Sequence, residues 1–191
     1  MHLVFRSMLR VLLFARRGRR LGLHDVDRAR FVTLPTDLDV NRHMNNGVFL
    51  SIMDLARMDQ FVRTGIFDLM RSRGWFPVVA SETIAFRKPL SLWQRFTIET
   101  RLIAHDDKVM VFEQRFVRPG PDGPPEIYAR AFVRKLLVRR SGGAVRFAEL
   151  VDALGADPAE AAQRTPPEWV ARWGEVAGLP RSRDAAPSTW D

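Results

Sequence analysis

Four stretches of the chain, 76–86, 95–105, 109–117 and 128–138, alternate apolar and polar residues with a period of two. Phe96, Ile98 and Leu102 mark the repeat in the second, and Phe132, Leu136 and Val138 in the last. Such alternation predicts strands of an antiparallel sheet with one face buried. A shorter strand is expected near 28–34. Between it and 76–86 the period changes: Phe49, Ile52, Met53, Leu55, Ala56, Met58 and Val62 recur near 3.6, which predicts a long, mostly buried helix from about 47 to 63 that ends at Thr64-Gly65. Asp54 and Arg57 stand three apart on that helix, the spacing of a local ion pair.

The connections carry turn chemistry. Asp106-Asp107-Lys108 reads as a hairpin turn, and the Pro- and Gly-rich run 119–125 as an exposed loop tip. Near the C-terminus, Thr165-Pro166-Pro167-Glu168 offers a capping side chain, prolines for a first turn and a Glu three positions on, so a short helix bearing Trp169, Val170 and Trp173 is expected there. Its tryptophans are expected to dock on the sheet or on a partner subunit. The order β-α-β-β-β-β gives an α+β fold, five antiparallel strands wrapped on one long helix.

Length and composition agree with one globular core plus extensions. In 191 residues, 46% are hydrophobic and 13 are Phe, values too rich in large side chains for disorder. We divide the chain into a basic N-terminal segment 1–22, a central domain 23–140, and a C-terminal extension 141–191 whose last residues, from 184 on, are expected to be disordered. There is no Cys, which excludes disulfides, thiolate metal sites and a Cys nucleophile and fits a reducing, cytoplasmic setting. His2, His24, His43 and His105 are scattered without a His-x-x-x-His pair, so no metal and no cofactor is expected.

A net charge of +8 invites a nucleic-acid reading, but Arg6, Arg10, Arg16, Arg17, Arg19 and Arg20 supply six positive charges before residue 21 and leave +2 for the rest. A nucleic-acid groove would need basic and stacking aromatic side chains interleaved over the folded surface; that pattern is missing and no nucleic acid is expected. Leu3 to Phe14 could line one apolar helical face with arginines opposite. The run is interrupted by Arg10, too short to span a bilayer, and followed by arginines in place of a cleavage site. Peripheral contact with an anionic membrane through residues 1–20, and packing on the chain's own domain or a dimer partner, both fit it.

The densest chemistry lies at 36–47, Thr-Asp-Leu-Asp-Val-Asn-Arg-His-Met-Asn-Asn-Gly. Asp39, Asn41 and His43 recur at i, i+2, i+4, and Asn45 or Asn46 stands where the helix should start, as a cap for free N–H groups. A carboxylate here can serve as general base or nucleophile, with imidazole or carboxamide orienting water or a carbonyl. The unpaired N–H groups and dipole of the helix N-terminus favour an oxyanion near Asn46 and Gly47.

With those residues in view, the string Asp-Leu-Asp-Val-Asn-x-His-Met-Asn-Asn resembles the active-site turn of the hot-dog-fold acyl-CoA thioesterases. The run 48–65, Phe86-Arg87-Lys88-Pro89 and the Trp-bearing tail near Trp169 are similar to thioesterase superfamily member 6 and its bacterial relatives. The resemblance implies a hot-dog fold, a homodimer or higher homo-oligomer with the site at a subunit interface, and hydrolysis of an acyl-CoA substrate. In the 4-hydroxybenzoyl-CoA thioesterase branch the working carboxylate falls on Asp39. In plant acyl-carrier-protein thioesterases the Asp-x-Asn-x-His set falls on Asp39, Asn41 and His43, but a further acidic residue of those enzymes is here Pro89. Arg87 and Lys88 are expected to meet coenzyme A phosphates. Two other readings stay open: a non-catalytic acyl-CoA-binding or scaffolding protein, and a thioesterase whose donor is an acyl carrier protein.

Overall fold

The computed structural model describes residues 18–120 and 123–179. The amphipathic stretch before Gly18 and the end of the chain from 180 lie outside the described residues. Five strands, β1 (Asp27–Val32), β2 (Trp75–Phe86), β3 (Arg95–His105), β4 (Val109–Arg118) and β5 (Glu126–Arg139), form one antiparallel sheet in the order β1-β3-β4-β5-β2. Helix α1 (Asn46–Thr64) runs along its concave side. This is the hot-dog fold.

Helix α1 forms because its apolar residues repeat at helical spacing. Phe49, Ile52, Met53, Ala56 and Phe61 are buried against Phe96, Ile98, Phe112 and Phe116 of the sheet. Its ends are set by single residues. The Asn45 carboxamide caps the first turn, and Gly65, at φ 87°, adopts the left-handed conformation that lets the chain leave the helix. A second helix, α2 (Ile66–Arg73), starts at that glycine and leads into β2. Register shifts at Val79/Ser81, Leu102/Ala104 and Phe116/Val117 put irregularities into the ladders, of the kind that bend strands and increase twist as a sheet curls round a helix.

Both faces of the sheet are used. On β5 the residues that reach the main core are Ala129, Ala131, Val133 and Leu137, the opposite parity to the Phe132, Leu136 and Val138 set that marked the alternation. Phe132 faces outward and is still buried, because α4 (Glu168–Val176) lies over it: Trp169 meets its ring edge-on at 4.7 Å, and Val170 and Trp173 join Ala104 and Val111 in a second small cluster. The tryptophans therefore dock on the sheet. The cap of α4 differs from expectation. Its N-cap is Pro167 with no side-chain hydrogen bond, so Thr165 does not cap it. Before α4, helix α3 (Phe147–Leu154) contributes Phe147, Leu150 and Val151 to the main core.

One polar group of side chains is buried between α1 and the sheet. Arg57, 1% exposed, donates to the Gln114 carboxamide and to Asp54, and Gln114 donates in turn to the Thr100 hydroxyl at 3.0 Å and the Met53 carbonyl at 3.1 Å. Lys135 reaches Asp54 at 3.6 Å, and Glu82 lies 4.0 Å from Arg57. The i, i+3 pair read from the sequence exists, but it serves a larger network.

Candidate active site at the start of the central helix

Residues 34–47 form a tight, internally bonded turn leading into α1. A short 3-10 turn, Pro35–Asp37, comes first, and the wholly buried Asp37 closes it by accepting the Leu34 N–H at 2.8 Å. The Asp37 carbonyl then accepts the Asn45 N–H at 2.9 Å. Asp37 is thus a structural carboxylate, and Asp39 is the one turned outward.

Asp39 is fixed by backbone. Its N–H donates to the His43 carbonyl at 2.8 Å, and its carbonyl accepts from Arg42 at 3.0 Å. Its Oδ1 accepts the Asn41 N–H at 2.9 Å and the His43 N–H at 3.4 Å, while Oδ2 has no protein partner among the described residues. Arg42 sits at φ 60°, a left-handed conformation that costs a non-glycine residue of order 1 kcal/mol and that recurs at functional turns. Asn41 and His43 are exposed, and their side chains make no hydrogen bond to Asp39. What the sequence pattern brings to the carboxylate is two amide N–H groups, not an imidazole and a carboxamide.

At the helix start, the Asn45 Oδ1 accepts the Gly47 N–H at 2.8 Å, and the Val48 N–H donates to the Asn45 carbonyl at 2.9 Å. Of the two expected oxyanion donors, the Gly47 N–H is therefore engaged by the cap, and the Asn46 N–H is the one without a protein acceptor among the described residues.

A second segment flanks the turn. The Met44 N–H donates to the Leu90 carbonyl at 2.8 Å, and His43 forms an antiparallel bridge with Ser91. This β2–β3 connection carries Leu92, 40% exposed, and Trp93, 60% exposed and held at φ 60° by an N–H···O bond to Thr33 of 2.9 Å. An exposed aromatic in strained backbone beside the turn was missed from sequence. Its only signal there was a Trp in a short connection between two strands.

Arg87 and Lys88 lie just upstream, with both backbone N–H groups on the Tyr128 carbonyl. Neither makes a hydrogen bond to the turn. The Lys88 ammonium bonds Glu126 at 2.5 Å, Arg87 approaches the same carboxylate at 3.8 Å, and Arg87 also donates to the Ile127 carbonyl. The Lys88 hydrogen bond holds the Glu126 carboxyl below its ordinary range. A phosphate at Arg87 and Lys88 would compete with Glu126. Among the described residues no group of three or more His, Asp or Glu side chains could hold a metal ion. His24 and His105 instead stack at 6.0 Å, the Phe147 ring stacks on His105 at 3.7 Å, and burial lowers the His105 pKa.

Residues 33–174 match the model of the thioesterase-like superfamily. The chain belongs to that superfamily. It is similar to protein THEM6 of Xenopus laevis, 48% identical over 86 residues, which are 45% of this chain and 42% of that one. It is also similar to protein THEM6 of Danio rerio, 38% identical over 81 residues, 42% and 40% of the two chains. The match thus spans about two fifths of the length of these relatives. Among solved structures, YbaW of Escherichia coli aligns with a TM-score of 0.59 at 22% identity, over 72% of this chain and 98% of that one. The 4-hydroxybenzoyl CoA thioesterase of Pseudomonas sp. strain CBS-3 aligns with a TM-score of 0.59 at 18% identity, over 68% and 98%. At such identities the likeness carries the fold. Among the described residues no helix is long and apolar enough to cross a membrane.

Proposed function

We propose that this protein is an acyl-CoA thioesterase in which Asp39 is the working carboxylate. The observation that carries the reading is the placement of Asp39. One oxygen is locked by two backbone amides, the other is open, and the start of a buried helix with an uncommitted N–H at Asn46 lies a few residues on. A fixed carboxylate with one free oxygen can take a proton from water, whose oxygen then adds to the thioester carbonyl. The oxyanion formed is held at the Asn46 N–H and the positive end of α1, and collapse expels the coenzyme A thiolate, which leaves with the proton. The same free oxygen could attack the carbonyl directly, breaking the C–S bond to release the coenzyme A thiolate and leaving an acyl anhydride that water then hydrolyses to the free acid and the Asp39 carboxylate. Label found in Asp39 after single turnover in ¹⁸O water, or a trapped acyl-Asp39 adduct, would identify the second route, since the first forms no bond to Asp39.

The protein acts as a homodimer in this proposal. The support is β2, an edge strand of 12 residues whose Val78 and Val79 are each 37% exposed; an apolar edge of that length pairs readily with another strand. Two flanking features fit the larger parts of the substrate: exposed Trp93 offers a stacking face for the nucleotide, and Arg87 with Lys88 offers charge for its phosphates once Glu126 is displaced.

The test is thiol release from short, medium, long and aromatic acyl-CoAs by the native protein and Asp39→Asn. Loss of about 10²-fold or more in kcat with folding intact is expected, the scale of a lost general base. A second reading, acyl-CoA binding without turnover, is favoured by one observation: with the Gly47 N–H engaged by Asn45, a single backbone donor faces the oxyanion position. Tight binding of acyl-CoA with no thiol release from any substrate would establish it.

A further inference from the structure

At the far end of α1 from Asp39, roughly 28 Å along a helix of 19 residues, an open cleft of about 550 Å³ lies between α2 and the start of β2. Phe67, Met70, Trp75 and Phe76 form its apolar lining, and Arg71 and Arg140 stand at it. Arg73 lies over the Trp75 ring at 5.2 Å. All three arginines are exposed, and none forms an ion pair with any described residue. Elsewhere, Arg28, Arg57, Arg63, Arg115, Arg130, Arg139 and Arg146 are each matched to a carboxylate. Arg42, Arg95 and Arg101 are also exposed without an ion pair among the described residues, and Arg118 lies over the Tyr128 ring at 5.3 Å; what marks this end is that several such arginines gather at one apolar cleft.

The chain's N-terminal part meets the same end. The Arg63 guanidinium, on the last turn of α1, donates to the Arg19 carbonyl at 3.0 Å, and the Leu21 N–H donates to the Arg63 carbonyl at 3.1 Å. Arg20 lies beside Gly65, where α2 begins. Arg19 and Arg20 are exposed and also form no ion pair with any described residue, and in the sequence Arg16 and Arg17 come just before them. The carboxylates near this end are Asp27, bonded to Arg63, Glu149, bonded to Arg139, Asp25, which accepts the Gly22 N–H at 3.0 Å, and the exposed Asp68 of α2 and Asp152 of α3.

We propose that this cleft is a docking site for the headgroup of an anionic phospholipid, which seats this end of the protein on a bilayer surface. Arginine forks suit a phosphodiester, and Arg73 stacked on Trp75 with Phe76, 42% exposed, suits the interfacial depth where aromatic and cationic side chains gather. Charge favours a surface over a soluble anion: Arg19, Arg20, Arg71, Arg73 and Arg140, none ion-paired among the described residues, carry more positive charge than one phosphate neutralises, and attraction to an anionic leaflet sums over all of them. In this arrangement the cleft faces the bilayer while the Asp39 turn, at the other end of α1, stays in water.

The full chain is sedimented with vesicles of phosphatidylcholine alone and of phosphatidylcholine with phosphatidylglycerol, beside Arg71→Gln/Arg140→Gln and Arg71→Lys/Arg140→Lys. Binding is expected only to the anionic vesicles. It should fall about thirtyfold in the Gln pair, about 2 kcal/mol at 1.4 kcal/mol per tenfold, and be largely kept in the Lys pair. Both positions are exposed, so folding should survive, with circular dichroism as the check. Undiminished binding by a folded Gln pair would place the contact in residues 1–20 alone and overturn the site. Equal binding to neutral vesicles, no binding by the native chain, or capture of inorganic phosphate or RNA without vesicle binding would overturn it as well. Acyl-CoA hydrolysis without vesicles should be unchanged in the Gln pair, so the proposal and the thioesterase reading fail independently.

Discussion

Lys135 is the buried group that most directly tests the account of the core, and replacing it by Met should stabilise the protein at neutral pH. Its side chain is 7% exposed, and burial, then repulsion from Arg57, lowers its pKa from 10.5 to about 8 despite the attraction of Asp54 and Glu82. A fall of that size corresponds to about 3 kcal/mol of disfavour for the charged form in the folded chain, at 1.36 kcal/mol per pH unit. Above pH 10.5 the amine is neutral in both states and no penalty exists. As pH falls the unfolded chain takes up its proton first, so stability drops until about pH 8, and below that the penalty is constant. Met keeps the methylene stem against Phe61, whose ring lies 5.5 Å from the ammonium, and leaves Asp54, 60% exposed, to water and Arg57. The expected gain is about 1–3 kcal/mol at pH 7, shrinking toward zero by about pH 10. Urea unfolding at pH 7, 8, 9 and 10, with the m-value held in common, reads both the size and the slope. A variant less stable than the native chain at pH 7, with no change in the difference up to pH 10, would mean that the Asp54 and Glu82 contacts outweigh burial, and the reasoning would be wrong.

Removing the cap at Asn45→Ala should cost about 1 kcal/mol of stability by urea unfolding, because the Gly47 N–H loses its acceptor; a change below a few tenths would mean that water replaces the carboxamide at no cost. Gly174→Ala puts a Cβ 2.8 Å from the Arg134 guanidinium, which donates to the Gly174 carbonyl at 2.7 Å, so α4 should lift from the sheet at a cost of about 1–2 kcal/mol. Faster proteolysis after residue 164 and a red-shifted tryptophan emission would report it, and Arg134→Ala in the same chain should restore the fit. Arg57→Ala should cost about 3 kcal/mol or more in the same unfolding assay, since it strands the buried Gln114 carbonyl oxygen; a loss under 1 kcal/mol would mean that water enters and satisfies it.

The elements that were legible in the sequence are those whose two faces differ. Helix α1 was expected over 47–63 and runs Asn46–Thr64, because Phe49, Ile52, Met53 and Ala56 repeat on one side and Gly65 supplies a left-handed stop. The strands at 95–105 and 109–117 were found for the same reason. Parity on β5 was not legible: Phe132 on one face and Val133 on the other are both buried, one under α4 and one under α1, so alternation could not say which set faced the helix. Helix α3 was missed. Its eight residues, Phe147–Leu154, are too few for periodicity to separate from a loop, and their apolar side is explained only by the core they complete.

The candidate site divides along the same line between what residue types announce and what only backbone geometry settles. Asp39, Asn41 and His43 drew notice as an acid, an amide and an imidazole, yet the contacts that Asn41 and His43 make to the carboxylate come from their N–H groups, which every residue but proline has. The local roles of the side chains therefore predict little about the anchoring of Asp39; the turn does, and its left-handed Arg42 is the residue a composition scan would pass over. The exposed imidazole and carboxamide are then free to face whatever fills the open side of the turn, an acyl thioester or a partner's surface. If the Asp39 anchor is backbone-made, Asn41→Ala and His43→Ala should leave the carboxylate in place, and any loss of turnover in them belongs to contacts with substrate. That separates positioning from chemistry in a way that Asp39→Asn alone does not.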